Sequence, residues 1–211
     1  MNEEAKIQLS EREMELVNNT DWIFTKQLII KKVYLLLGKL HEEFKNIISE
    51  EKQFLPAELQ KPGGKISKGE NYKGLPYVIL DYPASFSKEK IVAVRTFFWW
   101  GNFFSIALHI SGNNFKGKVL SDEAIEFLKD KNFSVCINEN EWQHHFDPSN
   151  FVSINEINET VVKNLSEKNF LKIAKKTGLA EWNSAAKFLE ETFKEIIDFI
   201  KLSFPAGEKD L

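Results

Sequence analysis

The residues most suited to chemistry lie in one stretch near the middle of the chain, RTFFWWGNFFSIALHISG at positions 95–112, which holds six aromatic side chains within eight positions. Arg95 precedes these rings and His109 follows them. A guanidinium binds anions, an imidazole can accept a proton, and aromatic rings form the walls of many pockets. These residue types therefore point to a ligand-binding or catalytic site in this stretch.

Two local rules predict different registers for the two strands of this stretch. Gly101-Asn102 suits a two-residue hairpin loop, which would place Arg95 among apolar side chains. Burial of an unpaired arginine costs several kcal/mol, so we favour the register given by alternation, which needs an odd-residue loop or a bulge. Its predicted buried row comprises Val92, Val94, Phe98 and Trp100 with Phe104, Ile106, Leu108 and Ile110.

The opposite face of the hairpin then carries the charge and the imidazole. We expect this face either to be covered by a helix of the same chain or to line a cleft or an interface. In the covered case, a carboxylate such as Asp81 would neutralise Arg95. The predicted ligand-binding residues are Arg95, His109, Trp99, Phe97, Phe103 and Asp81, with Asn71 and Tyr72 at the rim.

Three functions are compatible with such a face. The first is a binding domain for a small molecule or a peptide, in which Arg95 fixes an anionic group. The second is an enzyme with His109 as general base, Arg95 as electrostatic stabiliser and Asp81 as orienting residue. The third is a homodimer interface, since interface cores favour Trp, Phe and Arg. In each case Arg95 and His109 require a negative partner, either an internal carboxylate or an anionic ligand.

The other candidate chemistry is weaker. His144 and His145 are adjacent, so on a strand they would point to opposite faces and could not easily share a metal ion. Cys136 lies in an apolar run and is predicted to be inert core. The run GGKISKG lacks the spacing of a phosphate-binding loop. We therefore predict no metal and no cofactor.

Composition limits the classes of partner. The chain has 211 residues and a formal net charge of −3, which argues against a general nucleic-acid-binding surface. A single cysteine fits a reducing compartment. The acidic N-terminus does not resemble a signal peptide, and the most apolar helix is interrupted by lysines. These features predict a cytoplasmic protein that does not bind nucleic acid or membranes.

The pattern of apolar residues predicts one α+β domain over residues 1–211. Its sections are N-terminal helices over 10–50, a sheet region over 75–147 and C-terminal helices over 153–204. We expect a central antiparallel sheet of about five strands packed against long amphipathic helices. The five predicted strands cover 77–82, 91–100, 103–111, 133–137 and 142–146.

Two further segments have distinctive compositions. Residues 61–74 are rich in glycine and lysine and predict a loop. Residues 170–176 predict a short helix that stops at Gly178.

Three segments together resemble a known family. TKQLIIKKVYLLLGKL, GENYKGLPYVILDYP and RTFFWWGNFFSIALHISG are similar to segments of a family of uncharacterised bacterial proteins, best represented in the Bacteroidetes. The resemblance covers about residues 10–112 well and the rest loosely. It implies a compact family domain of bacterial origin, and it implies no activity, cofactor or catalytic residue.

Overall fold

A computed structural model describes residues 7–60, 63–112 and 120–204, and within them the chain forms five helices and seven strands. The helices are α1 (Glu11–Asn18), α2 (Thr20–Glu51), α3 (Asp122–Asp130), α4 (Glu159–Glu167) and α5 (Trp182–Ser203). The strands are β1 (Lys65–Tyr72), β2 (Leu75–Phe86), β3 (Lys90–Trp99), β4 (Phe103–Gly112), β5 (Ser134–Cys136), β6 (Phe151–Ser153) and β7 (Phe170–Gly178).

All seven strands belong to one antiparallel sheet, in the order β1-β2-β3-β4-β7-β5-β6. The predicted α+β class is confirmed. The predicted number of about five strands is too low, and strands also come from outside residues 75–147.

The first additional strand, β1, occupies most of the segment predicted to be a loop. It pairs with β2 from Lys65 opposite Asp81 to Gly69 opposite Tyr77. A Cβ atom at position 69 would lie 2.4 Å from the end of the Tyr77 ring, so glycine at this position lets that ring lie against the β1 backbone. The prediction was wrong because pairing with a strongly apolar neighbour outweighs a weak local propensity.

The second additional strand, β7, replaces the predicted helix at 170–176. It lies between β4 and β5, with Leu108 opposite Ile173 and Ile110 opposite Leu171. Alternation within the strand sends Leu171 and Ile173 into the main core. The prediction failed because a short apolar run fits either a helix or a strand until its neighbours are known.

The register predicted for β3 and β4 is confirmed. Val92 lies opposite Ile110, Val94 opposite Leu108 and Phe98 opposite Phe104. The connection is the odd-residue loop 100–102, in which Gly101 adopts a φ of +70°. Trp100 lies in this loop and is half-buried, whereas the rest of the predicted row is buried.

Helices cover one face of the sheet and enclose the main core with it. From Val33 onwards α2 buries five side chains, and α5 buries eight along most of its length. The two helices meet where the Phe44 and Phe193 rings stack with centroids 3.8 Å apart. Among the described helices, none is long and apolar enough to cross a membrane.

Candidate functional site

The second face of the sheet carries the residues predicted to form the site. Ile79, Phe97, Trp99 and Phe103 form a buried apolar cluster at one end of this face. Arg95 and Asp81 lie near the middle, directly opposite each other on β3 and β2. Towards the other end, His109 on β4 lies opposite Lys172 on β7.

A segment without regular structure, residues 137–150, covers this face. Trp142–Phe146 was predicted to be a strand, but it forms no strand pairing among the described residues. The Tyr72 hydroxyl accepts hydrogen bonds from the backbone N–H groups of His144 (2.7 Å) and His145 (3.1 Å). Phe146 stacks on Phe151 with ring centroids 4.6 Å apart. The covering layer is therefore a loop, not the helix that was one expectation for this face.

Arg95 joins the sheet to this covering segment. Its Nε and Nη2 donate to the two carboxylate oxygens of Asp81, at 2.7 and 3.0 Å. Its Nη1 lies 3.0 Å from Nε2 of His144. Both members of the Arg95–Asp81 pair are largely buried. A two-pronged pair of this kind fixes geometry as well as charge.

Lys172 holds the same segment from β7. Its side chain is 2% exposed, and its Nζ donates to the carbonyl oxygens of Glu141 (3.0 Å) and Gln143 (2.6 Å). The same Nζ lies 3.1 Å from Nδ1 of His144. Burial lowers the pKa of Lys172 to about 8.

The His144 ring lies between two cationic side chains, which favours its neutral form. A guanidinium can only donate, so Nε2 of His144 accepts from Arg95. The other ring nitrogen, Nδ1, faces the Lys172 Nζ at 3.1 Å. Burial, together with Lys172 and Arg95, lowers the pKa of His144 to about 2.

His109 is buried at the open end of the face. Its Nε2 lies 2.8 Å from Oε2 of Glu141, and its ring meets the Trp142 ring edge-on with centroids 5.5 Å apart. Burial is the largest influence and lowers the pKa of His109 to about 4, although Glu141 acts in the opposite direction. The imidazole is therefore neutral at pH 7.

The expectation of negative partners for Arg95 and His109 is confirmed, and both partners are internal carboxylates. Asp81 neutralises Arg95 and Glu141 contacts His109. The two cationic or potentially cationic residues lie diagonally on adjacent strands, with Arg95 opposite Ala107. Because each has a partner within the chain, the face does not require an anionic ligand.

The other predicted site residues serve packing or turn geometry. Phe97, Trp99 and Phe103 belong to the buried apolar cluster, and Tyr72 packs edge-on against Phe97 and Trp99. Asn71 is exposed near the end of β1, and its side-chain oxygen accepts from the Gly74 N–H in the β1–β2 turn at 3.0 Å.

One end of the second face opens into a cleft of about 710 Å³. Its floor is formed by the end of β4 and the start of β7, and its walls by the covering segment and the C-terminal end of α4. The volume falls within the range of small-molecule pockets, about 300–1,000 Å³. The polar and aromatic residues that line it include Glu139, Asn140, Glu141, Trp142, Asn164 and Glu167.

The cleft carries more negative than positive charge. Glu139, Glu141 and Glu167 contribute three carboxylates against the single ammonium of Lys168. That ammonium is engaged by the carbonyl oxygens of residues 137 and 138 and by the Glu139 carboxylate. The C-terminal end of α4 adds the partial negative charge of its free carbonyl groups.

The histidines and the cysteine near this face do not form a metal site or a reactive thiol among the described residues. Within the described ranges, no three His, Cys, Asp or Glu side chains are grouped so as to hold a metal ion. His144 and His145 diverge, since His145 Nδ1 lies 2.9 Å from Asp147. Cys136 is buried, and burial raises the pKa of its thiol.

Sequence reasoning missed Lys172, Glu141 and Trp142. A signal for Lys172 was present, because it is the one charged residue in the apolar run Phe170–Ala174. Read with a period of two, that run places Lys172 on the second face beside His109. The roles of Glu141 and Trp142 depend on the path of an irregular segment, for which the sequence carries no periodic signal.

Comparison with protein-family models, with curated proteins and with solved structures finds no match to this chain. The resemblance to a bacterial family therefore remains a prediction, and functional inference depends on the site itself.

Proposed function

We propose that this protein binds a small molecule or a peptide segment carrying an ammonium group, in the cleft beside Trp142. The observation that carries this proposal is an exposed indole ring set among carboxylates in an open cleft. The Trp142 side chain is 45% exposed, although its neighbour His109 is buried.

The chemistry of the cleft favours a cation over the anion expected from the sequence. Aromatic faces attract ammonium groups, and carboxylates around the ring strengthen that attraction. Glu167 is exposed at the end of α4, and Glu141 is partly exposed while it contacts His109. The two cationic side chains beneath the face, Arg95 and Lys172, are committed to internal partners.

Glu141 connects the cleft to the covered face. Its carboxylate contacts His109, and its backbone carbonyl accepts from Lys172. A ligand ammonium that contacts this carboxylate would supply it with a cation without displacing the neutral imidazole. Lys172 and His109 thus act as positioning residues for the cleft wall.

Calorimetric titration with tetramethylammonium chloride tests the proposal. We expect saturable binding that weakens with added salt, and no binding of tert-butanol, a neutral molecule of similar size. Trp142→Ala should weaken binding by about tenfold, which corresponds to about 1.4 kcal/mol. Glu167→Gln should weaken it less, because that carboxylate is exposed to solvent.

Trp22→Ala is the matched control. Trp22 is as exposed as Trp142 but contacts Trp100 at the opposite end of the β3–β4 hairpin. It should leave the affinity unchanged. Equal binding of tert-butanol, or equal loss in both tryptophan variants, would contradict an ammonium site in this cleft.

A further inference from the structure

The N-terminal part of the chain presents an apolar surface distinct from the cleft. Ten of the thirteen large apolar side chains that are exposed in the described residues lie within residues 7–35. All eight residues of α1 are exposed. An isolated helix of this length is marginal in water, so this arrangement calls for a packing partner.

The first half of α2 is apolar on two opposite sides. One side faces the sheet. The Trp22 ring contacts the Trp100 ring edge-on, Lys26 donates a hydrogen bond to the Glu70 carboxylate, and Val33 is buried. The other side carries Phe24, Leu28 and Leu35, each 60–61% exposed. These three residues, with Lys31 between them, follow the 4-3-4 spacing of a helix–helix seam.

We propose that a second copy of this chain covers this seam, with the two α2 helices packed antiparallel about a two-fold axis. The three exposed seam residues of α2 and the five exposed apolar side chains of residues 7–17 amount to roughly 800 Å² if each presents about 100 Å², which matches the area of about 800 Å² that a stable interface buries per partner. A two-fold interface uses the same patch on both copies, so the seam of each copy covers the seam of the other.

The register follows from the seam itself. In a symmetric antiparallel pair of helices, the residue numbers of any two residues that lie opposite each other add up to the same total. Placing Phe24 opposite Leu35 of the second copy puts Leu28 opposite Lys31, whose aliphatic stem can cover it. The same register brings Asp21 next to Lys39, and both are exposed. A single register therefore satisfies both the apolar pairs and the charged pair.

Gly38 supports close approach of a second helix in this register. It lies three residues beyond Leu35, where the 4-3-4 spacing continues, and opposite Asp21 of the second copy. A Cβ atom at position 38 would meet nothing within 4 Å, so no described part of this chain uses the space. Glycine inside a helix costs about 1 kcal/mol relative to alanine, and backbone approach from outside would offset that cost.

Multi-angle light scattering of the full-length protein tests this arrangement. We expect a mass of twice the chain's 24.5 kDa at micromolar concentration. The double variant Phe24→Glu/Leu28→Glu should weaken dimerisation about 100-fold. At low protein concentration, where the wild-type protein and the double variant are both monomeric, the two should have the same melting temperature. Phe86→Glu alters another exposed aromatic side chain, on β2, and should leave the dimer intact.

Disulfide cross-linking tests the register. Asp21→Cys/Lys39→Cys should give a covalent dimer on oxidation, because the two positions meet across the interface. Each single variant should not, because two copies of position 21 would lie about 26 Å apart along the helices, beyond the ~7 Å limit for a disulfide.

A monomer at all concentrations would overturn the proposal, and co-flotation of that monomer with anionic lipid vesicles would identify a bilayer as the occupant instead. A dimer that survives Phe24→Glu/Leu28→Glu would equally overturn it, because the interface would then lie elsewhere. Ready cross-linking of the Asp21→Cys single variant would reject the antiparallel register.

Discussion

Arg95→Met lowers the free energy of unfolding by about 3–5 kcal/mol, the cost of leaving a buried charge without its partner. The substitution leaves the largely buried Asp81 carboxylate without its two-pronged donor. It also removes the bond from Nη1 to His144, so the covering segment loses one attachment to the sheet. Urea denaturation of the wild-type and variant proteins measures the difference.

A double-mutant cycle separates charge from packing. Arg95→Met/Asp81→Leu removes both charges, so it should be more stable than Arg95→Met alone by a few kcal/mol. A loss below about 1 kcal/mol for the single variant is what an exposed ion pair gives, and it would contradict a structural role for the pair.

We expect acid to destabilise the fold strongly between pH 6.5 and pH 5. The pKa of His144 is lowered to about 2 and that of His109 to about 4, whereas both titrate near 6.5 in the unfolded chain. The unfolded state therefore binds protons that the native state excludes, so stability is complete above pH 6.5 and falls as the pH falls. Each imidazole contributes about 1.4 kcal/mol per pH unit, or about 4 kcal/mol for the pair by pH 5.

Urea denaturation at several pH values, on the wild-type protein and on His144→Gln, checks this dependence. Gln at this position keeps a group that accepts from Arg95 and removes one titrating ring. The slope of the free energy of unfolding against pH should then fall, between pH 6.5 and pH 5, by the amount that corresponds to about one bound proton. An unchanged slope would mean that His144 titrates normally in the native state.

The β3–β4 hairpin could be predicted from the sequence because its evidence is local. Alternating apolar residues fixed which side chains face the core, and burial of unpaired Arg95 was rejected on energetic grounds. The register follows from these two arguments. In the structure Arg95 and Leu108 point to different faces of the sheet, because Leu108 pairs with Val94. Asp81, the carboxylate expected to neutralise Arg95 if the face were covered, lies directly opposite it on β2.

The covering segment could not be predicted in the same way. Its attachments join residues far apart in sequence, such as Tyr72 to His144 and Lys172 to Gln143. β7 was also mistaken for a helix, which hid the position of Lys172 opposite His109. The structure places Arg95 and His109 on one face of the sheet, but the loop closes most of that face and leaves the Trp142 end open.

The ¹H–¹⁵N signals of the indole N–H groups, recorded during titration with tetramethylammonium chloride, test the central claim most directly. The chain has five tryptophans, so each indole signal can be assigned by substitution. The Trp99 N–H donates to the Tyr72 carbonyl oxygen at 3.2 Å beneath the covering segment. We predict that the Trp142 signal shifts with a saturable dependence on concentration while the Trp99 signal stays fixed. Movement of the Trp99 signal without that of Trp142, or no shift of either, would contradict binding in the cleft.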